Sequence, residues 1–179
     1  IAASGIYVLF KPLLKRKKIW LVYEKFCSMA QDNGYYFFKY CMENLSDEEK
    51  KNIYYVIDKK APDYEKIKEY DDHIIQFMSL KHVLYVLAAV LYVASDSRTH
   101  LYAWRCKTSL IRSKIDKRPI FFLQHGVTAL KQVGPLFGRK GSSPMTYFAT
   151  TSKFEQDIVV KYLDYSEAKS PITGFTRWD

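Results

Sequence analysis

The 179-residue sequence has only three cysteines, Cys27, Cys41 and Cys106. Their number is odd, their spacings are wide and no Cys-x-x-Cys occurs, which argues against a disulfide framework or a structural zinc site and fits a reducing compartment. With seven Gly and six Pro, the chain is too poor in both for collagen-like or low-complexity classes. Long apolar runs are missing too. The longest, Val83 to Ala94, has twelve residues, whereas a membrane-spanning helix needs roughly 20. Glycine-rich phosphate loops are absent: there is no Gly-x-Gly-x-x-Gly, Walker A, Asp-x-Asp or Gly-x-Ser-x-Gly pattern. Neither a metal nor a cofactor is therefore expected.

What is present describes about one domain with a sizeable core. Hydrophobic residues make up 48% and charged residues 26%, which excludes wholesale disorder. The net charge of +9 points to a polyanionic partner: nucleic acid, an anionic membrane or a phosphate-rich substrate. The many Tyr and Phe fall mostly in segments that read as strands and helices, and no nucleic-acid module is visible, so nucleic acid is not expected. The chain begins with Ile rather than Met, as a piece of a longer protein would.

Residues 1–18 read as a basic amphipathic arm. Ile6, Leu9, Phe10, Leu13 and Leu14 fall at helical spacing, Pro12 is expected to kink or end that helix, and Lys15, Arg16, Lys17 and Lys18 follow. An apolar face beside a basic run fits an anionic membrane surface; it also fits a helix packed on its own domain with a solvated basic cap.

From residue 19 onward, short apolar segments alternate with helical ones. Ile19 to Glu24, Asn52 to Asp58, His73 to Ser79, Val90 to Ser95, Pro119 to Gln124 and Met145 to Thr151 read as strands, and Pro171 to Phe175 closes the series. Helices are expected over Tyr35 to Asn44, Pro62 to Tyr70, Ser79 to about Ala89, Trp104 to Ile115 and Ser152 to Leu163, and a helical turn or short helix over Thr128 to Leu136. Gly134 to Pro144 reads as an exposed basic loop. The strands are continuously apolar, as when both faces are covered. The expected class is α/β: a Rossmann-like parallel sheet with helices on both faces over 19–179.

Ligands of such sheets bind beyond the carboxyl ends of the strands. That selects Glu24, Asp58, Ser79, Ser95 with Asp96, Gln124-His125-Gly126 and Thr150-Thr151-Ser152. His125 is the sharpest, because a rigid strand would hold it toward the cleft and an imidazole's ordinary pKa near 6.5 suits a general base. A satisfied structural histidine fits the same spacing. Gly126 permits close backbone approach, and Thr128 to Lys131 offers a helix start and an ammonium to a phosphate. Glu24 could orient His125 or cap a neighbouring loop. Asp32-Asn33-Gly34 reads first as a helix N-cap and second as a substrate contact. His73, His82 and His100 have no partner at ligand spacing.

Several segments together carry a resemblance. IYVLFKPLLKRKKIWLVYE, AQDNGYYFFKYCMEN and NIYYVID resemble the start of the CDP-glycerol glycerophosphotransferase family of teichoic acid polymerases and primases. FFLQHGVTALK resembles that family's central His-Gly motif, and ITGFTRWD its Gly-x-Pro-Arg-x-Asp segment. The common His-Gly-Thr-Pro-Leu-Lys spelling gains one residue here, which leaves the places of Thr128 and Lys131 in the motif open. Phe175-Thr176 stands where Pro commonly precedes Arg177; Gly174, Arg177 and Asp179 are kept.

The resemblance implies the first, acceptor-side domain of a two-domain GT-B enzyme, with CDP-glycerol bound by a C-terminal domain outside this chain. It implies that His125 is the catalytic base, deprotonating the terminal hydroxyl of a lipid-linked polyanionic acceptor that then attacks CDP-glycerol and releases CMP. Gly126, Thr128 and Lys131 would shape the pocket, and the Lys15–Lys18 run would hold the enzyme on the inner face of the cell membrane. Ribitol phosphate or a sugar as the transferred group, or a membrane-surface module without chemistry, are the rival expectations.

Overall fold

The computed structural model describes residues 2–103, 110–128 and 131–178. Its elements, in chain order, are α1 (Ala2–Arg16), β1 (Trp20–Tyr23), α2 (Asn33–Asn44), α3 (Asp47–Lys50), β2 (Ile53–Ile57), β3 (Ile74–Gln76), α4 (Leu80–Ala88), β4 (Leu91–Ala94), α5 (Leu110–Asp116), β5 (Ile120–Phe122), α6 (Gly134–Phe137), β6 (Tyr147–Phe148) and α7 (Lys153–Leu163). Short 3-10 turns fill several of the connections.

The six strands form one sheet in the order β3-β2-β1-β4-β5-β6, and every pair is parallel. In β1, Leu21 and Tyr23 face one side and Val22 the other; Tyr92 and Ala94 against Val93 repeat this in β4. Two apolar layers result. The larger packs α1, α4, α6 and α7 on one face through Leu14, Val86, Phe137 and Val159. The smaller packs α2 on the other through Phe38, Cys41 and Met42. Burial on both faces explains why the strands read as unbroken apolar runs. The expected Rossmann-like sheet with helices on both faces is borne out.

Several local expectations are corrected. α1 continues past Pro12 to Arg16 rather than ending there. The carbonyl that Pro12 frees belongs to Val8, which is exposed, so water can serve it. The expected single apolar face of α1 also divides: Tyr7 and Leu14 are buried, whereas Val8, Leu9, Phe10 and Leu13 are exposed. The Pro62 to Tyr70 helix is a pair of 3-10 turns over Pro62–Lys66 and Lys68–His73. Of the helical turn or short helix expected over Thr128 to Leu136, the described residues show one helical turn at its end, α6; residues 129–130 lie outside the described residues, as do 104–109 of the Trp104 to Ile115 helix. Pro171 to Phe175 adds one bridge, Thr150 to Ile172, instead of a strand.

Gly134 to Pro144 exposes its basic Arg139 and Lys140 as expected, but it is not a loose linker. It coils around buried Phe137, whose carbonyl takes the Tyr165 hydroxyl proton at 2.6 Å. Its coil needs glycine: a Cβ on Gly138 would lie 2.6 Å from the Gly134 carbonyl oxygen, and one on Gly141 2.6 Å from that of Leu136.

Candidate active site

Connections leave the sheet in opposite directions from β1 and β4, so a crevice opens at their carboxyl ends. A cleft of about 300 Å³ occupies it, lined by Glu24, Lys25, Met29, Gln31, Asp32, Ser95, Asp96 and His125. Five residues expected from four separate segments thus meet. A neighbouring cleft of about 520 Å³ shares Lys25, Asp96 and His125 and adds Gly126, Thr128 and Lys131.

His125 is exposed, and its Nδ1 lies 3.0 Å from the Ser95 carbonyl oxygen. A carbonyl only accepts, so Nδ1 carries the proton in the neutral ring and Nε2 keeps its lone pair. The residue before it, Gln124, has φ of 62°. A non-glycine residue there is uncommon, and side-chain bonds hold it. The Gln124 amide group donates to Glu155 at 3.1 Å, and its carbonyl oxygen accepts from the Thr128 hydroxyl at 2.6 Å.

Two buried glutamates brace the rim. Glu24 accepts the backbone N–H groups of Gln31, Asp32 and Tyr35 at 3.0, 2.9 and 2.7 Å. Burial pushes its pKa up, against the pull of those three amides. Of the two roles considered for Glu24, its bonds therefore serve the capping of the α2 loop. Glu155 accepts from Thr128 N at 2.6 Å, Thr151 N at 2.7 Å and the Thr151 hydroxyl at 2.9 Å. One signal along the chain points to Glu155: it stands three residues after Ser152, whose hydroxyl caps α7 by accepting the Glu155 N–H at 3.2 Å.

Other expected contacts turn inward. Thr128 spends its amide and its hydroxyl on Glu155 and Gln124, so neither is aimed at a phosphate. The Ser95 hydroxyl accepts from Gly34 N at 2.8 Å. Asp32 caps α2 through Asn33 N at 2.8 Å and pairs with the Arg177 guanidinium at 2.7 Å. Asn33 is buried; its amide donates to the carbonyls of Leu123 and Gln124, and its oxygen accepts Arg177 N. Lys131 and Gly126 have free approach: Lys131 is exposed, and nothing lies within 4 Å of a Cβ built on Gly126. Asp179 lies outside the described residues.

The basic run lies at the other end of the sheet. Lys15, Arg16, Lys17 and Lys18 are exposed, and the last three line a groove with Trp20, Asn52 and Ile53 at the amino ends of β1 and β2. Among the described residues no helix is long and apolar enough to cross a membrane. No group of three or more described His, Cys, Asp or Glu side chains could hold a metal ion.

No family model matches the chain. Over 173 residues it is 29% identical to the minor teichoic acid biosynthesis protein GgaB of Bacillus subtilis strain 168, covering 93% of this chain and 18% of that protein. The chain is similar to teichoic acid biosynthesis proteins. Its fold matches the wall teichoic acid polymerase TagF with a TM-score of 0.59, at 13% identity, over 98% of this chain and 42% of that one. A TagF structure from a CDPG soak matches with a TM-score of 0.58, over 97% and 43%. The chain thus spans less than half of either relative. The resemblance expected from the His-Gly and Arg-containing segments is borne out, as is the fold.

Proposed function

We propose that this chain is the acceptor-side domain of a GT-B transferase that moves glycerol phosphate from CDP-glycerol onto the terminal hydroxyl of a lipid-linked teichoic acid chain. The observation that carries the reading is the hydrogen bond from His125 Nδ1 to the Ser95 carbonyl, which leaves Nε2 as a base at the mouth of the crevice. The hydroxyl proton passes to Nε2 while the hydroxyl oxygen bonds to the β-phosphorus. The bond from that phosphorus to the bridging oxygen breaks, and CMP leaves with the bridging oxygen. Positioning and charge neutralisation supply most of the acceleration in such transfers. The donor nucleotide belongs to a second domain, so the chain alone is expected to turn nothing over.

Binding at the inner face of the cell membrane belongs to the same reading. Val8, Leu9, Phe10 and Leu13 leave an apolar stripe on α1 beside Lys11, Lys15, Arg16, Lys17 and Lys18, the composition that favours an anionic interface. An extended acceptor then runs from that end of the sheet to the crevice at the other.

The test is CMP release from CDP-glycerol by the parent protein with a lipid-linked glycerol-phosphate acceptor, beside His125→Ala. Acceptor-dependent release that falls about 10²–10⁴-fold in the variant is expected. Release unchanged by the substitution removes the base; no release with CDP-glycerol but release with CDP-ribitol moves the reading to that donor.

A further inference from the structure

His100 has no partner at ligand spacing in the sequence, yet it touches two walls of the crevice. After Glu24 the chain makes a tight turn in which Phe26 and Cys27 take φ of 55° and 50°, values that non-glycine residues rarely adopt. His100 holds that turn. Its Nδ1 accepts the Phe26 N–H at 3.2 Å, its carbonyl accepts the Cys27 thiol at 3.3 Å, and the two rings meet edge to face at 4.4 Å. Because Nδ1 accepts, the neutral ring carries its proton on Nε2. That nitrogen lies 3.2 Å from Asp96 Oδ1, which also takes the Ser97 N–H at 2.8 Å.

Asp96 follows Ser95, the residue whose carbonyl holds the His125 ring, and lines both clefts with His125 and Lys25. The two imidazoles are therefore held in opposite tautomers, His100 protonated at Nε2 and His125 at Nδ1, and the carboxylate that His100 holds lines the same two clefts as His125. Glu24, Lys25 and Asp32 are the other charged groups of that cleft. Burial alone would raise the Asp96 pKa; the His100 and Ser97 hydrogen bonds, with favourable charge from His100 and His125, hold it below the ordinary carboxylate range.

We propose that His100 is a positioning residue of the transfer site, locking the Asp96 carboxylate beside His125 so that Asp96 stabilises the imidazolium formed when His125 takes the acceptor's proton. The proposal rests on the transferase reading. It assigns Asp96 a role that grows during the reaction, because the His125 ring is neutral at the start and charged after proton transfer. An interaction stronger in the transition state than in the ground state acts on kcat more than on KM.

Two measurements test it. The first needs no turnover: ¹⁵N-histidine spectra of the 179-residue chain should show His100 as the Nε2-protonated and His125 as the Nδ1-protonated tautomer. In His100→Phe the Asp96 carboxyl, followed by ¹³C, should titrate at higher pH, and the Phe26 amide should exchange faster. The second uses the parent protein, with kcat and KM for the acceptor. Asp96→Asn and His100→Phe should lower kcat about 10-fold or more with KM little changed, and His100→Gln, which keeps an acceptor for Phe26 and a donor for Asp96, should recover part of it. A His100 ring protonated at Nδ1, or wild-type kcat in both variants, overturns the proposal. A wild-type parent without transfer, while the spectra hold, overturns instead the transferase reading beneath it.

Discussion

At the carboxyl rim of the sheet nearly every polar group is committed to another part of the chain, while along the outer face of α1 a row of apolar side chains is committed to nothing. Glu24 and Glu155 are buried, and each gathers donors from a different loop. Leu9 of α1, by contrast, is 79% exposed. The rim is built to hold one geometry, which a base acting on one hydroxyl needs. The face of α1 contributes nothing to that geometry and is available to an outside surface. In the proposed reading, stability and surface binding then fall to different residues, and substitutions can separate them.

The sharpest break falls on Glu155. Glu155→Ala takes the acceptor from the amides of buried Thr128 and half-buried Thr151 and from one N–H of the Gln124 side chain, whose Nε2 keeps its bond to the Ala149 carbonyl. At about 1–3 kcal/mol for each unsatisfied donor, the loss of stability is expected to reach at least about 3 kcal/mol, read by urea denaturation. A loss below about 1 kcal/mol would mean that the rim is looser than its hydrogen bonds imply.

The second test concerns a residue between the two regions. His82 lies in α4, which packs against α1, and is fully buried. Its Nδ1 accepts the Met78 N–H at 3.2 Å, but Nε2 makes no hydrogen bond among the described residues. Burial pushes its pKa down to about 4, against a weaker pull from the Leu101 backbone. The unfolded chain, with histidine near 6.5, binds the proton first. Stability contributed by the neutral ring is therefore full above about pH 6.5 and lost as pH falls toward 4, by about 3 kcal/mol. Denaturation midpoints measured from pH 7 to 4 should show the loss, and His82→Phe should flatten that part of the curve.

The smallest effect on stability is expected on α1. Leu9→Asp with Leu13→Asp should leave the urea midpoint within about 0.5 kcal/mol. The same pair should abolish sedimentation with anionic vesicles while neutral vesicles bind neither form. Lost stability would mean that the exposed stripe belongs to the fold after all.

How much of this was legible beforehand follows from what a linear sequence can carry. β1, β2 and β4 stand out because both their faces are buried, so every position is apolar. The rule that ligands gather at strand ends selected Glu24, Ser95, Asp96 and His125, which the structure brings into one cleft, but equally Asp58, Ser79 and Thr150 to Ser152, which do not line it, because the rule does not say which strands flank the crevice. The coil around Phe137 was unreadable, because glycine, lysine and serine look like a linker until Gly138 and Gly141 are seen pressed against backbone. The inward commitments of Asn33, Thr128 and Glu155 were equally hidden, since composition does not say which way a polar side chain faces. His100 is the extreme case, with its Phe26 partner 74 residues away.

The strand order carries a consequence of its own. The crevice between β1 and β4 exists because the chain departs from those two strands in opposite directions, and no side chain is needed to create it. Replacing the exposed His125 would remove the proposed base and leave the location of the crevice intact. The location is inherited with the topology, whereas the chemistry can change one residue at a time, so a descendant of this domain with a different ligand would still be expected to bind it at the same notch.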